Sequence, residues 1–178
     1  MIPPRKLALA AVVGAAYAAL TVLLAPISFP AVQFRVSELL CILPFFFPCT
    51  AWGLFVGCAI ANIFGGSVLD IVFGSLATLF AGLLTAWLGK RKYSWLSCIL
   101  ACLMPVLFNA VIVGAVITAA TAAGPGALAN PLDHPGLYAA TAASVGFGEL
   151  VVLFVLGLPL MRWLPTQEFF RDQIRKYQ

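Results

Sequence analysis

Six polar side chains stand in stretches of the sequence that are otherwise almost wholly apolar: Arg35, Glu38, Asn62, Asp70, Asn109 and Glu149. An ionisable group held at membrane depth costs at least about 2.5 kcal/mol, so such residues face the interior of a helix bundle and mark a site. Carboxylates, a guanidinium and carboxamides are groups for holding a ligand by hydrogen bonds and charge. No partner of the kind that would make one of them a nucleophile accompanies them. The sequence has no nucleotide-binding glycine-rich loop, no HExxH and no nucleophile–base pair, and its one histidine, His134, falls in a polar loop and reads as surface. The five cysteines, Cys41, Cys49, Cys58, Cys98 and Cys102, lie inside apolar runs without CxxC or Cys/His spacing, so they read as small hydrophobes. No cofactor, metal or catalytic residue is expected.

Each polar residue also has a plainer reading. Arg35 and Glu38 are three apart, on one helical face, and either pair with each other at the headgroups or belong to a site. Asp70 either caps a helix after the Gly65-Gly66-Ser67 turn or binds ligand. Asn62 and Asn109 either join helices by hydrogen bonds or read a ligand. Glu149 has no cap or helix end near it. It lies 12 residues from Leu137 and 13 from Arg162, which puts it near the middle of its helix. Gly146 and Gly148 beside it leave room for a flat ligand.

The elements that position these groups follow from composition. Charged residues are 9% of the chain, hydrophobic residues 63%, and mean hydropathy is +1.07. A soluble domain of this size needs far more polar surface. No Asp, Glu, Lys or Arg occurs in 7–34, 39–69, 71–89 or 93–132. A spanning helix takes about 20 apolar residues, so six spans use about two thirds of the chain and leave no room for an extramembrane domain. The first apolar run is too long for a signal peptide and reads as a retained helix. The pattern predicts an all-α membrane protein, a six-transmembrane-helix bundle over residues 1–165, followed by an amphipathic or disordered tail over 166–178. Predicted helices cover about 6–24, 35–47 (short for a span, closed by Pro48), 50–64, 68–88, 94 to the glycines at 124–126, and 137–164.

Alternating these helices with the N-terminus inside places Arg5, Lys6, Lys90, Arg91, Lys92, Arg162, Arg171, Arg175 and Lys176 on the cytoplasmic side, leaving only Arg35 outside. The net charge of +4 is thereby explained by topology and not by nucleic acid. In this arrangement Glu149 and Asn109 line a pocket open to the outside, with Glu149 at its floor. On helix 1, Ala11, Ala15 and Ala19 are spaced by four, beside a second stripe of Ala10, Gly14 and Ala18. Small residues at this spacing let helices approach closely in lipid, either within the bundle or against another subunit.

Val32-Gln33-Phe34-Arg35-Val36-Ser37-Glu38, followed by Leu43-Pro44-Phe45-Phe46-Phe47-Pro48, resembles the QueT family of substrate-binding S components of energy-coupling factor (ECF) transporters. The resemblance continues through Ala61-Asn62-Ile63-Phe64-Gly65-Gly66, residues 69–79, Phe108-Asn109-Ala110, Gly146-Phe147-Gly148-Glu149-Leu150 and Leu156-Gly157-Leu158-Pro159. It covers nearly the whole chain except the outer loop near 125–136 and the tail. It implies the S-component fold and a subunit of the cell membrane that captures a queuosine precursor, a 7-deazaguanine base such as queuine or a preQ-type base. An ECF energising module, made of a transmembrane coupling protein and two ATPase subunits, then drives uptake. In that setting Glu149 pairs with adjacent N–H donors of a guanine-like edge. Asn62 and Asn109 read the remaining ring polar groups. Asp70 or Glu38 neutralises a cationic substituent, with Arg35 holding Glu38. The Ala11, Ala15, Ala19 stripe then resembles the motif that docks on the coupling protein. An S component for another vitamin or an aromatic amine, and a non-transporting membrane scaffold, are the competing expectations.

Overall fold

The computed structural model describes residues 3–28, 34–65, 68–91, 93–123 and 127–177. Val32, Gln33, Gly66, Ser67, Lys92 and the glycines at 124–126, all named above, lie outside the described residues. Every regular element described is helical. They are α1 (Pro4–Leu23), α2 (Val36–Phe45), α3 (Thr50–Gly65), α4 (Asp70–Gly89), α5 (Trp95–Ala123), α6 (Pro135–Thr166) and α7 (Glu168–Tyr177), with one short turn of helix at Ala25–Ser28. Among the described residues α1, α4, α5 and α6 are long and apolar enough to cross a membrane; α2 and α3 are apolar but shorter. Four helices of spanning length is thus what the structure carries, against the six spans that hydropathy predicts.

The second helix is short in residues but stretched. α2 is wound as a 3-10 helix over ten residues with Pro44 inside it. At about 2.0 Å rise per residue it reaches roughly 20 Å, where an α-helix of the same length would reach about 15 Å. Two further irregularities escape periodicity. α4 opens with a π-helical turn at Asp70–Gly74, and α6 contains another at Val152–Gly157, three residues beyond Glu149. Such turns cluster at functional sites because they re-aim side chains without ending the helix.

α1 and α3 meet backbone to backbone. A β-carbon on Gly14 would lie 2.4 Å from the Gly53 carbonyl oxygen, and one on Gly57 2.3 Å from the Gly14 carbonyl oxygen. Gly53 is tightest, its missing β-carbon 2.0 Å from the Ala10 carbonyl oxygen. Gly53→Ala must therefore push the helices apart, at an overpacking cost of about 1–3 kcal/mol. The expected result is a clearly lowered thermal transition in detergent. Gly136→Ala, where an added carbon meets nothing within 4 Å, should leave that transition in place.

α5 carries Pro105 in its interior. Proline has no N–H, so the Ala101 carbonyl loses its helical donor. The Thr85 hydroxyl of α4 supplies one instead, at 3.3 Å. In lipid that substitution matters, because no water is present to do it. α5 is joined to α6 by Gly114, whose missing β-carbon would sit 2.8 Å from Ala142 Cα, and by the Thr141 hydroxyl donating to the Gly114 carbonyl at 3.0 Å. This contact sets Asn109 opposite Glu149.

At one end of the bundle Phe45, Phe46, Phe47, Cys98, Cys102 and Met161 form a core. The tail, expected as amphipathic or disordered, is the ten-residue helix α7 folded against it. Phe170, Ile174 and Tyr177 face inward at helical spacing. The Phe170 ring is 5.3 Å from both Phe46 and Phe47, and the Tyr177 hydroxyl donates to the Arg5 carbonyl at 3.4 Å. The two ends of the described chain thus lie together. Lys6, Lys90 and Arg91 line a cavity at that same end.

Candidate functional site

Among the described residues Glu38 is the most enclosed charge, with 0% of its surface exposed. One turn of α2 puts Cys41 beneath it, and the Cys41 thiol donates to Glu38 Oε2 at 2.9 Å. The other oxygen accepts from the Tyr17 hydroxyl on α1. Next to this pair the Thr21 hydroxyl lies 2.6 Å from the Ser37 hydroxyl. Arg35, also buried, donates from Nε to the Ser28 carbonyl at 3.4 Å. Arg35 and Glu38, expected either as a headgroup pair or as members of a site, are thus both enclosed in the bundle. Burial at this depth requires fixed partners, and α1 and α2 provide those of Glu38.

Glu149 projects from α6 into the same interior and feels the charges of Glu38 and Arg35. Its Oε1 accepts from Asn109 Nδ2 of α5 at 2.9 Å. Its Oε2 is buried with no hydrogen-bond partner. Asn62 of α3 is spent differently. Its Nδ2 donates to the Asp70 carbonyl at 2.8 Å, tying the end of α3 to the π-helical start of α4. Gly74 closes that turn, and an added β-carbon there would come 3.2 Å from the same nitrogen. Asn62 Oδ1 is buried and without a partner. Asp70 itself is only half-buried and sits inside the helix, and the residue capping that turn makes no side-chain bond.

Cys58 joins the two halves of the site. Thr78 donates to its sulfur at 3.4 Å and Asn62 lies 3.6 Å from it, and it packs in one buried cluster with Tyr17 and Cys41. Of the six expected residues, Asn109 and Glu149 are thus joined side chain to side chain, Asn62 reaches the backbone of Asp70, Glu38 is held by Tyr17 and Cys41, and Arg35 reaches the Ser28 carbonyl. Tyr17, Thr21, Ser37, Cys41, Cys58 and Thr78 join them, and the sequence had singled out none of these for the site. Tyr17 carried a signal: it is the only aromatic with a hydroxyl in the first apolar run. Through Tyr17, α1 takes part in these buried polar contacts as well.

Ala11, Ala15 and Ala19 lie on the outer face of α1 and are exposed, while Ala10, Gly14 and Ala18 are buried against the bundle. Ala11 and Ala15 edge an apolar groove of about 360 Å³ that runs between α1 and α3 past Trp52, Val56 and Ile60.

Helices of membrane-crossing length, closed around hydrogen-bonding groups that lipid would not tolerate, define a helical membrane protein whose special chemistry is internal. The chain belongs to the QueT transporter family: the family model described as QueT transporter matches residues 7–166. Comparison with curated proteins and with solved structures gives no match.

Proposed function

We propose that this chain is the substrate-binding S component of an ECF-type importer, that it lies in the cell membrane as six spans with both ends cytoplasmic, and that it captures a 7-deazaguanine from outside. The observation that carries the reading is the pair of buried, unpartnered acceptors, Glu149 Oε2 and Asn62 Oδ1, in a chain of this family. A buried acceptor left empty costs about 1–3 kcal/mol, so its retention calls for a donor supplied by ligand. A guanine-like edge presents adjacent N–H groups, and Glu149 receives them on Oε2 and on the second lone pair of Oε1. Asn109 holds that carboxylate in place. Asn62 Oδ1 accepts a ring N–H.

Charge narrows the ligand further. Among the described residues Glu38 and Glu149 are buried and Asp70 is half-buried, against the one buried guanidinium of Arg35. An anionic ligand is disfavoured, and a neutral or aminomethyl-bearing base suits the balance. Asp70 or Glu38 neutralises a cationic substituent, and Glu38 is already held in place by Tyr17 and Cys41. With Glu149 3% exposed, ligand reaches it only when helices part. The loaded subunit then docks through the Ala11, Ala15, Ala19 face on a coupling protein energised by two ATPases, and releases the base inside.

Titration calorimetry of the purified protein with queuine and with its two smaller precursors tests this. Micromolar or tighter binding of at least one is expected. Silence with all three, while a vitamin or an aromatic amine binds, would transfer the protein to another S-component specificity.

A further inference from the structure

We infer that the face of the bundle between α1, α3 and α4 holds one anionic glycerophospholipid, its phosphate at the Lys6–Lys90–Arg91 end. A cavity of about 510 Å³ lies there, lined by Lys6, Lys90, Arg91 and Tyr177 together with the 45–49 turn. Three cations border it, and no carboxylate is among its described lining residues. The Arg91 guanidinium stacks on the Trp87 ring at 3.9 Å, which fixes its position at the rim.

The cavity opens into a second of about 540 Å³, with which it shares Lys6, Lys90 and Cys49, and whose walls are Leu7, Trp52, Leu83 and Trp87. Through Leu7, Ala10 and Trp52 that space continues into the α1–α3 groove. The lining thus passes from cationic to wholly apolar along one path, which is the polarity of a lipid and not of a soluble anion. Its length also fits. Lys6 to Ala15 is nine residues of helix, roughly 14 Å, and half of a hydrocarbon core is about 15 Å. One acyl chain reaching the midplane fills it. Trp52 and Trp87, 56% and 49% exposed, flank the path where aromatic rings favour the interface.

Native mass spectrometry of the purified protein tests the site, with phosphatidylglycerol, phosphatidylcholine or glycerol phosphate added. Phosphatidylglycerol is expected to be retained as a single tight adduct, phosphatidylcholine far less, and glycerol phosphate alone not at all. The double variant Lys6→Gln, Lys90→Gln should bind phosphatidylglycerol on the order of tenfold more weakly. Lys6→Arg with Lys90→Arg should keep it. The matched control, Arg171→Gln with Arg175→Gln, removes equal charge from α7 outside the cavity and should change little. Equal retention of both lipids, or equal loss in the two Gln variants, would reduce the effect to diffuse surface charge and overturn the site. Tight binding of glycerol phosphate would overturn the lipid in favour of a soluble anion.

Discussion

Glu149→Gln is expected to weaken deazaguanine binding about ten- to a hundredfold, the loss of a buried charge-assisted contact being about 1.5–3 kcal/mol. The amide keeps Oε1 for Asn109, so the α5–α6 contact survives. In place of Oε2 it presents an N–H₂ to a ligand edge that is itself made of donors, so attraction turns to repulsion. Asp70→Asn is the comparison. Asp70 is half-buried, and the contact that ties it to Asn62 uses its backbone carbonyl, which the substitution leaves untouched. Its loss should be markedly smaller. Calorimetry on both variants, with thermal unfolding as the control for folding, gives the ranking. Small and equal losses would place the ligand elsewhere in the bundle.

Ala15→Trp should abolish uptake while binding by the isolated subunit stays nearly unchanged. Ala15 is exposed on α1, and Tyr17, two residues on, is turned about 200° around the helix toward Glu38. A tryptophan at 15 therefore extends away from the binding interior and holds a docking helix at a distance that small-residue packing forbids. The paired measurement is a binding titration in detergent and uptake by cells that also carry the energising module. Undiminished uptake would remove the docking role from this face. Loss of binding together with uptake would show that α1 communicates with the site more strongly than its outward face suggests.

Four of the six candidate side chains were legible because charge is scarce in a chain with 9% charged residues, and Asn62 and Asn109 because a carboxamide inside an apolar run stands out in the same way. Their partners were not, since tyrosine, threonine, serine and cysteine are compatible with lipid, core or site alike. Cys41 and Cys58 show the difficulty. As letters they are small hydrophobes, like Cys98 and Cys102, which do sit in the apolar core. Packed beside Glu38, Thr78 and Asn62, they become a donor and an acceptor. Helix positions were legible from uncharged runs, but the π turns after Leu69 and Val151 were not. A π turn is one extra residue absorbed under tertiary packing and leaves no periodic trace. The 3-10 winding of α2 likewise depends on neighbours, with Pro44 the only local hint.

The glycine contact between α1 and α3 has a mechanical consequence. Carbonyl oxygens sit where β-carbons would be at Gly14, Gly53 and Gly57, so the two helices interlock with no side-chain layer to act as lubricant. They travel as one stiff slab. Any aperture that admits a ligand must then open among the other helices, of which α4 and α6 each carry a spare residue in a π turn and can trade it for length. The subunit is in effect a fixed wall facing a pleated one. The outer face of α1 and α3 then keeps its shape whether the interior is full or empty.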